Sequence, residues 1–357
     1  MPVKKITISE FIALSKQHHV VDVRSPGEFT HAHFPGAYSL PLFTDEERKV
    51  VGTAYKQQGK QKAIKIGLEY FGSKMNQMIE AAEAICNEQQ ISTKTILVHC
   101  WRGGMRSAGV AWLLDLYGFD VYTLIGGYKS FRNWTLQQME NPYQFNVLGG
   151  YTGSAKTEML HCIRAAQHAV IDLEGIAHHK GSAFGAIGQS PQPSQEMFEN
   201  ILALQLYQQT QHNLQQVVWV EDESQRIGNL NIPHSLWKTI RNSPLYFMDI
   251  PFEHRLKFIF QQYGHLEIQS LIDSTKRIEK RLGPNETKIT IQYLKENNID
   301  AAFSLLLQYY DKMYLAALQK RDNVQSKMKR FVFNEVEPDQ NAAALITQLK
   351  DNNGTIN

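Results

Sequence analysis

Residues 95–117 read TILVHCWRGGMRSAGVAWLLDLY. The apolar, β-branched run at its start predicts a strand over Thr95–His99, and the spacing of Val110, Leu113, Leu114 and Tyr117 predicts a helix opening near Ser107. Between them lies a turn containing Cys100, Arg102, Gly103, Gly104 and Arg106. A cysteine at this place sits below a helix amino terminus. Successive backbone N–H groups form an anion nest there, the helix dipole adds partial positive charge, and two arginines add full charges. All three effects favour a thiolate, the nucleophilic form of cysteine. Cys100, Arg102 and Arg106 are therefore the candidate catalytic group. The plain alternative is a buried structural cysteine, but two glycines and two arginines beside one thiol are a poor recipe for a core.

Outward from this stretch, residues 6–131 alternate short strand-like runs, such as His19–Val23, with helical ones, such as Met75–Asn87. That alternation predicts an α/β fold with a parallel sheet. A polar stretch with Pro142 follows, and a second strand, Phe145–Leu148, runs into glycines. The boundary is placed near residue 140, giving a first domain over 1–140 and a second over 141–357. Further strands are expected at Val217–Val220 and Leu245–Ile250, with mostly helix beyond Phe252. The chain of 357 residues is 43% apolar and 20% charged, which fits folded domains and excludes wholesale disorder or a fibre. Three widely spaced cysteines give neither a disulfide framework nor a zinc pattern, so no metal site is assigned. No run approaches a membrane span and the amino terminus lacks a secretory pattern, so a soluble cytoplasmic protein is expected.

The segment VVDVRSPGEFTHAHFPGAYSLPL at 20–42, taken with HCWRGGMRSAGVAWLL, resembles the rhodanese family. The resemblance implies a chalcogen carried on Cys100, with Asp22, Arg24, Glu28, His33, Pro35 and Gly36 as scaffold. From Cys100 to Arg106 the loop spells C-x5-R, a length that cradles a tetrahedral oxyanion. Two readings stay open on that loop alone: a phosphatase of the C-x5-R type fused to a nucleotide-binding domain, and a carrier whose donor bears a phosphate.

A second motif stands at 145–160, FNVLGGYTGSAKTEML, where a strand runs through glycines into a helix. This is the setting of a Walker A phosphate loop. Gly150, Gly153, Ser154, Lys156 and Thr157 are the candidate diphosphate-binding residues. Ala155 replaces the second glycine of the motif. An alanine is expected to enter a right-handed helical turn there while its methyl crowds a phosphate, so diphosphate binding should survive better than nucleotide turnover. The run VVWV at 217–220 ends in Glu221, Asp222 and Glu223, and Asp222 is assigned to the same site as a Walker B carboxylate, with Mg2+ as a candidate ion. Asp172, Glu174, His178 and His179 fit no trusted zinc spacing and read as cleft or turn residues.

Rhodanese-like and phosphate-loop segments in this order, with ERKVVGTAYKQQGKQKAIKIG at 47–67, DLEGIAHHKGSAFG at 172–185 and VEDESQRIG at 220–228, resemble the tRNA 2-selenouridine synthase family over most of the chain. The resemblance implies a selenium-transferring enzyme with geranyltransferase activity. Its substrates would be tRNA carrying 2-thiouridine at the wobble position, geranyl diphosphate and selenophosphate, with no tightly bound cofactor. A non-catalytic chalcogen carrier is the alternative from another class.

The net charge of +2 is too small to hold RNA by bulk attraction, so phosphates must be met locally. Lys56, Lys60 and Lys62 lie in a stretch from Arg48 to Lys65 without an acid, and Lys276, Arg277, Lys280 and Arg281 recur at spacings expected to share one helix face. Both are candidate tRNA-binding patches. Tyr309, Tyr310 and Tyr314 are expected in the core rather than on a base-stacking surface.

Overall fold

The computed structural model describes residues 3–87 and 94–353. Its chain divides into two compact units, one of Met1–Gln138 with Glu199–Leu204 and one of Met139–Phe198 with Gln205–Asn357.

The first unit is built on a five-stranded parallel sheet of β1 (Lys4–Ile6), β2 (His19–Asp22), β3 (Tyr38–Ser39), β4 (Thr95–His99) and β5 (Asp120–Leu124), in the order β1-β5-β4-β2-β3. β4 is central, paired on one side with β2 (Val21 opposite Val98) and on the other with β5 (Leu97 opposite Tyr122). Strands buried on both faces read as continuous apolar runs, which is why TILVH stood out. The helix Met105–Tyr117 lays Val110, Ala111, Leu113 and Leu114 against the core that holds Val21, Ile96 and Val98, and ends at Gly118 in the left-handed region.

The second unit has a four-stranded parallel sheet of β6 (Gln144–Gly150), β7 (Val217–Glu221), β10 (Leu245–Asp249) and β11 (Met328–Val332), ordered β11-β10-β6-β7, and a short antiparallel pair, β8 (Arg226–Ile227) with β9 (Leu230–Asn231). β6 lies between β10 and β7. An isolated parallel bridge from Val170 to Trp219 carries the chain past β7 just before Asp172. Beyond Phe252 the chain is mainly helical, and Leu271, Leu294, Phe303 and Leu306 form one apolar cluster there. The exception is β11, which returns to the sheet edge beside β10 (Phe247 opposite Arg330). Its sequence, MKRFV, carries two cations on an edge strand and so lacks the apolar run of an interior one.

The architecture is therefore α/β throughout, a rhodanese-like parallel-sheet unit followed by a phosphate-loop α/β unit with a helical carboxy-terminal part. In each, the candidate loop leaves the carboxyl end of an interior strand, where parallel sheets open a crevice for ligands. Among the described residues no helix is long and apolar enough to cross a membrane.

Candidate active site

In the first unit, Cys100 follows β4 directly and is 3% exposed, while Trp101, Arg102, Gly104 and Met105 around it are exposed. Its Sγ lies 3.2 Å from the Ser107 hydroxyl, which donates to the carbonyl of Gly104 at 3.1 Å. The thiol thus lies on the floor of its loop. The cause is the central position of β4: the last side chains of a strand flanked on both sides stay within the packed layer. The loop is fastened by the N–H of Tyr128 to the Cys100 carbonyl at 2.8 Å and of Lys129 to the Trp101 carbonyl at 2.9 Å.

Glycine is required where this loop meets the turn after β5. A side chain on Gly103 (φ +64°) would meet the Leu124 carbonyl at 2.6 Å, and one on Gly127 (φ +61°) would collide with the Cys100 carbonyl and the Gly103 N–H. Gly126, Gly127 and Tyr128 were missed from the sequence. Two glycines directly after an apolar run were the available signal.

Arg106 donates to Glu28 at 2.7 Å, and that carboxylate also takes Arg48 at 2.9 Å and the Ser25 N–H at 3.1 Å. Burial alone would raise the Glu28 carboxyl, but Arg106, the Ser25 N–H and Arg48 together bring it down to about 2. Behind the loop, Asp22 and Arg24 form a buried pair at 2.6 Å, and the Arg24 guanidinium lies 3.8 Å from the centre of the Tyr128 ring. His99 is buried beside Asp22 at 3.8 Å, and burial holds its imidazole towards the neutral form.

In the second unit, β6 ends in Gly149 and Gly150, and the loop runs to the helix Lys156–Ala165. Gly153 has φ +83°, and a side chain there would press on the Arg255 carbonyl at 2.8 Å. Ser154 is buried and donates to the Tyr151 carbonyl at 2.6 Å. Lys156 donates to the Gly150 carbonyl at 3.1 Å. Ala155 caps the helix at φ 55°, ψ 42°, in the left-handed region, which corrects the right-handed turn expected for it. The turn keeps the conformation a glycine would take, and the methyl bears the steric cost.

Thr157 donates to Glu174 at 2.9 Å, and the Glu174 N–H donates to the buried Glu221 at 2.7 Å. Glu174 and Glu223 both lie against Gly181, so their carboxyl groups are neighbours. Burial, with the charges of Glu174, Glu221 and Asp222 against the opposing pull of Lys156, holds the Glu223 carboxyl well above the ordinary range. Asp222 is placed differently from its neighbours. Its carboxylate accepts from Tyr314 at 2.8 Å and from the buried Arg321 at 2.8 Å. Tyr314 in turn accepts from the Gly150 N–H at 3.2 Å, so Asp222 reaches the loop through a tyrosine. Arg255, which holds the Thr152 carbonyl at 2.9 Å and grips Asp311 through two nitrogens, supports the loop from below. None of Tyr314, Arg255 and Arg321 carried a local motif.

These residues open onto a cavity of about 790 Å3. Its lining includes the phosphate loop and polar side chains, Gly153 to Glu158, Glu174, Lys180, Asp222 and Glu223. It also includes apolar side chains, Phe184, Phe258, Ile259, Phe303, Leu306 and Leu307, with Ile259 against Gly153 of the loop. Tyr310 and Tyr314 line it too, so these tyrosines are interior and face the site.

Family comparison agrees with this division. Residues 7–133 match the rhodanese-like domain family, and residues 143–337 match the family described as the tRNA 2-selenouridine synthase AAA domain. The chain is 36% identical to a tRNA 2-selenouridine synthase of Nitrosomonas europaea over 90% of this chain and 79% of that protein. It is also 36% identical to one of Sulfurovum sp. (83% and 87%) and 33% identical to one of Shewanella piezotolerans (90% and 94%). The chain belongs to the tRNA 2-selenouridine synthase family.

In this chain the candidate cation patches lie as follows. Lys56 is on the helix Asp45–Gln57 and Lys60 and Lys62 on the helix Lys60–Gly72, all exposed. Arg48 of the same stretch is engaged by Glu28. Lys276, Arg277, Lys280 and Arg281 are exposed but do not share one helix. The helix Ile268–Arg277 stops at Ile278, and Lys280 and Arg281 belong to the next, Glu279–Leu282. Ile278, at φ −101° and ψ 4°, leaves helical geometry and breaks the expected run, and its side chain and that of Leu282 belong to the helical core. Among the described residues no group of three or more His, Cys, Asp or Glu side chains is arranged to hold a metal.

Proposed function

We propose that this chain is a tRNA 2-selenouridine synthase working in two steps, geranylation of 2-thiouridine at the tRNA wobble position and replacement of the geranylthio group by selenium from selenophosphate. A thiocarbonyl sulfur is a poor leaving group. Once alkylated it departs as a neutral thiol, which opens C2 of the base to a selenium nucleophile.

The observation that carries this reading is the mixed lining of the cavity in the second unit. A phosphate loop with Lys156 and, in the same cavity, phenylalanine, leucine and isoleucine side chains suit an amphiphile with a diphosphate head and a hydrocarbon tail. Gly150, Gly153, Ser154, Lys156 and Thr157 would hold the diphosphate of geranyl diphosphate. Asp222 would act on the loop through Tyr314, and Mg2+ remains a candidate ion. In the first unit, Cys100 with Arg102 and Arg106 would handle selenophosphate. The deep thiol suits a small cargo, and Arg102 and Arg106 supply charge for its phosphate. Lys56, Lys60, Lys62, Lys276, Arg277, Lys280 and Arg281 would meet the tRNA backbone, and charge reversal within a true patch should flatten the salt dependence of tRNA binding. We place the synthase in the cytoplasm.

Two variants test the division of labour. Lys156→Ala should abolish geranyl transfer while selenation of pre-geranylated tRNA continues, and untouched geranyl transfer would remove the loop from the reaction. Cys100→Ala should geranylate and stop there. Selenouridine formation without geranylation in that variant would reverse the assignment.

A further inference from the structure

Alkylation of a 2-thiouridine at sulfur has a proton to dispose of. The sulfur attacks C1 of the geranyl group, the C1–O bond breaks, and its electron pair leaves with the diphosphate. The ring then forms a C2=N3 double bond, which requires loss of the N3 proton. A base beside the diphosphate site must accept it.

The helix that begins at Lys156 carries Thr157 and His161 four residues apart, hence on one face. Each reaches across to the same short segment: Thr157 to Glu174 at 2.9 Å and His161 Nε2 to Asp172 Oδ2 at 3.0 Å. The other Asp172 oxygen accepts the Gly175 N–H at 2.7 Å, which fixes the carboxylate. With Nε2 of His161 turned to this carboxylate, Nδ1 is the ring nitrogen left to accept a proton. His161 lines the cavity with Lys156 and Thr157, and its side chain is 54% exposed.

Several other titratable groups at this end are engaged, while Glu158 and Asp322 also line the cavity. Glu174 takes the Thr157 hydroxyl and lies against Glu223, Asp222 is held by Tyr314 and Arg321, and Lys180 sits over the Tyr263 ring. An imidazole backed by a carboxylate is the pairing that general-base catalysis favours near neutrality.

We propose that His161, oriented by Asp172, takes the N3 proton of thiouridine during geranyl transfer. This assignment rests on the geranyl diphosphate reading above. The test uses the full chain with thiolated tRNA and geranyl diphosphate. His161→Ala should slow geranyl transfer by about 10²- to 10⁴-fold, the range of a lost general base. It should still bind geranyl diphosphate and convert pre-geranylated tRNA to selenouridine at the wild-type rate. Added imidazole should restore at least part of the lost rate, a response that a structural bridge would not give, while His161→Gln, which fills the space without basicity, should remain slow. Wild-type geranyl transfer in either variant overturns the proposal, as does a loss in His161→Ala that imidazole leaves unchanged. If the wild-type chain itself transfers no geranyl group, the failure lies in the diphosphate reading and takes this proposal with it.

Discussion

Arg106 of the cysteine loop donates to Glu28 at 2.7 Å, and Glu28 belongs to the capping box of a helix 78 residues earlier in the chain. The carboxylate that closes the Ser25 cap thus also positions an arginine of the proposed selenophosphate site. Burial opposes the charge on Glu28, but its cationic and N–H partners win and hold it at about 2. Between an ordinary carboxyl value and that figure the unfolded chain binds more protons, so this contribution is complete above about pH 4.5 and is lost as the pH falls towards 2. A gap of that size corresponds to on the order of 3 kcal/mol. Glu28→Gln should therefore lower stability at pH 7 by a few kcal/mol at most, and much less near pH 2, as read from denaturant melts at both values.

Asp222 gives a different kind of expectation. It is paired with Arg321, which is itself 3% exposed and also donates to the carbonyls of Ile240 and Arg241. Removing one partner of a buried pair leaves the other charge uncompensated, at a cost of about 3 to 5 kcal/mol. Asp222→Ala should melt far below the wild type. A variant that melts normally but loses geranyl diphosphate binding would instead put this carboxylate in direct contact with ligand.

At Ala155 the prediction is a gain. Its left-handed conformation strains an alanine and not a glycine, so Ala155→Gly should stabilise the fold by about 0.5 to 1 kcal/mol. It also removes the methyl from the phosphate loop, and diphosphate should bind at least as tightly by calorimetry.

Glu223 is raised by burial, by Glu174 and by Glu221 and Asp222, against the pull of Lys156. The folded chain therefore keeps a proton there that the unfolded chain has released, and stability falls as pH rises from the ordinary carboxylate range towards the raised value. Glu223→Gln should be more stable than the wild type at pH 8, with a flatter stability profile between pH 5 and 8. An unchanged profile would show that the carboxyl group has no proton to lose in that window.

Much of this molecule was legible in the sequence because buried parallel strands announce themselves. TILVH and VVWV are buried runs, and glycines after a strand mark a loop. The partly exposed edge strands β1, β3 and β11 were not legible, since two to five residues with one wet side carry no period. Cys100 and Lys156 could be found because their chemistry lies in one contiguous loop. Tyr314, Arg321 and the Gly126–Gly127 turn could not, because they act on those loops from more than twenty residues away. Ala155 was misread for a physical reason: a side chain's preference was allowed to set the turn, whereas the surrounding loop sets it and the side chain tolerates the strain. Lys276 to Arg281 was misread as one helix because charge spacing says nothing about the turn at Ile278 that ends it.

The most direct measurement is to incubate the purified chain with thiolated tRNA, geranyl diphosphate and selenophosphate, digest the tRNA and weigh its nucleosides. The account predicts conversion of 2-thiouridine to 2-selenouridine over many turnovers, with S-geranyl-thiouridine accumulating when selenophosphate is left out and no selenium incorporated when geranyl diphosphate is left out. Selenouridine formed equally well without geranyl diphosphate, or thiouridine unchanged in the complete mixture, would contradict it.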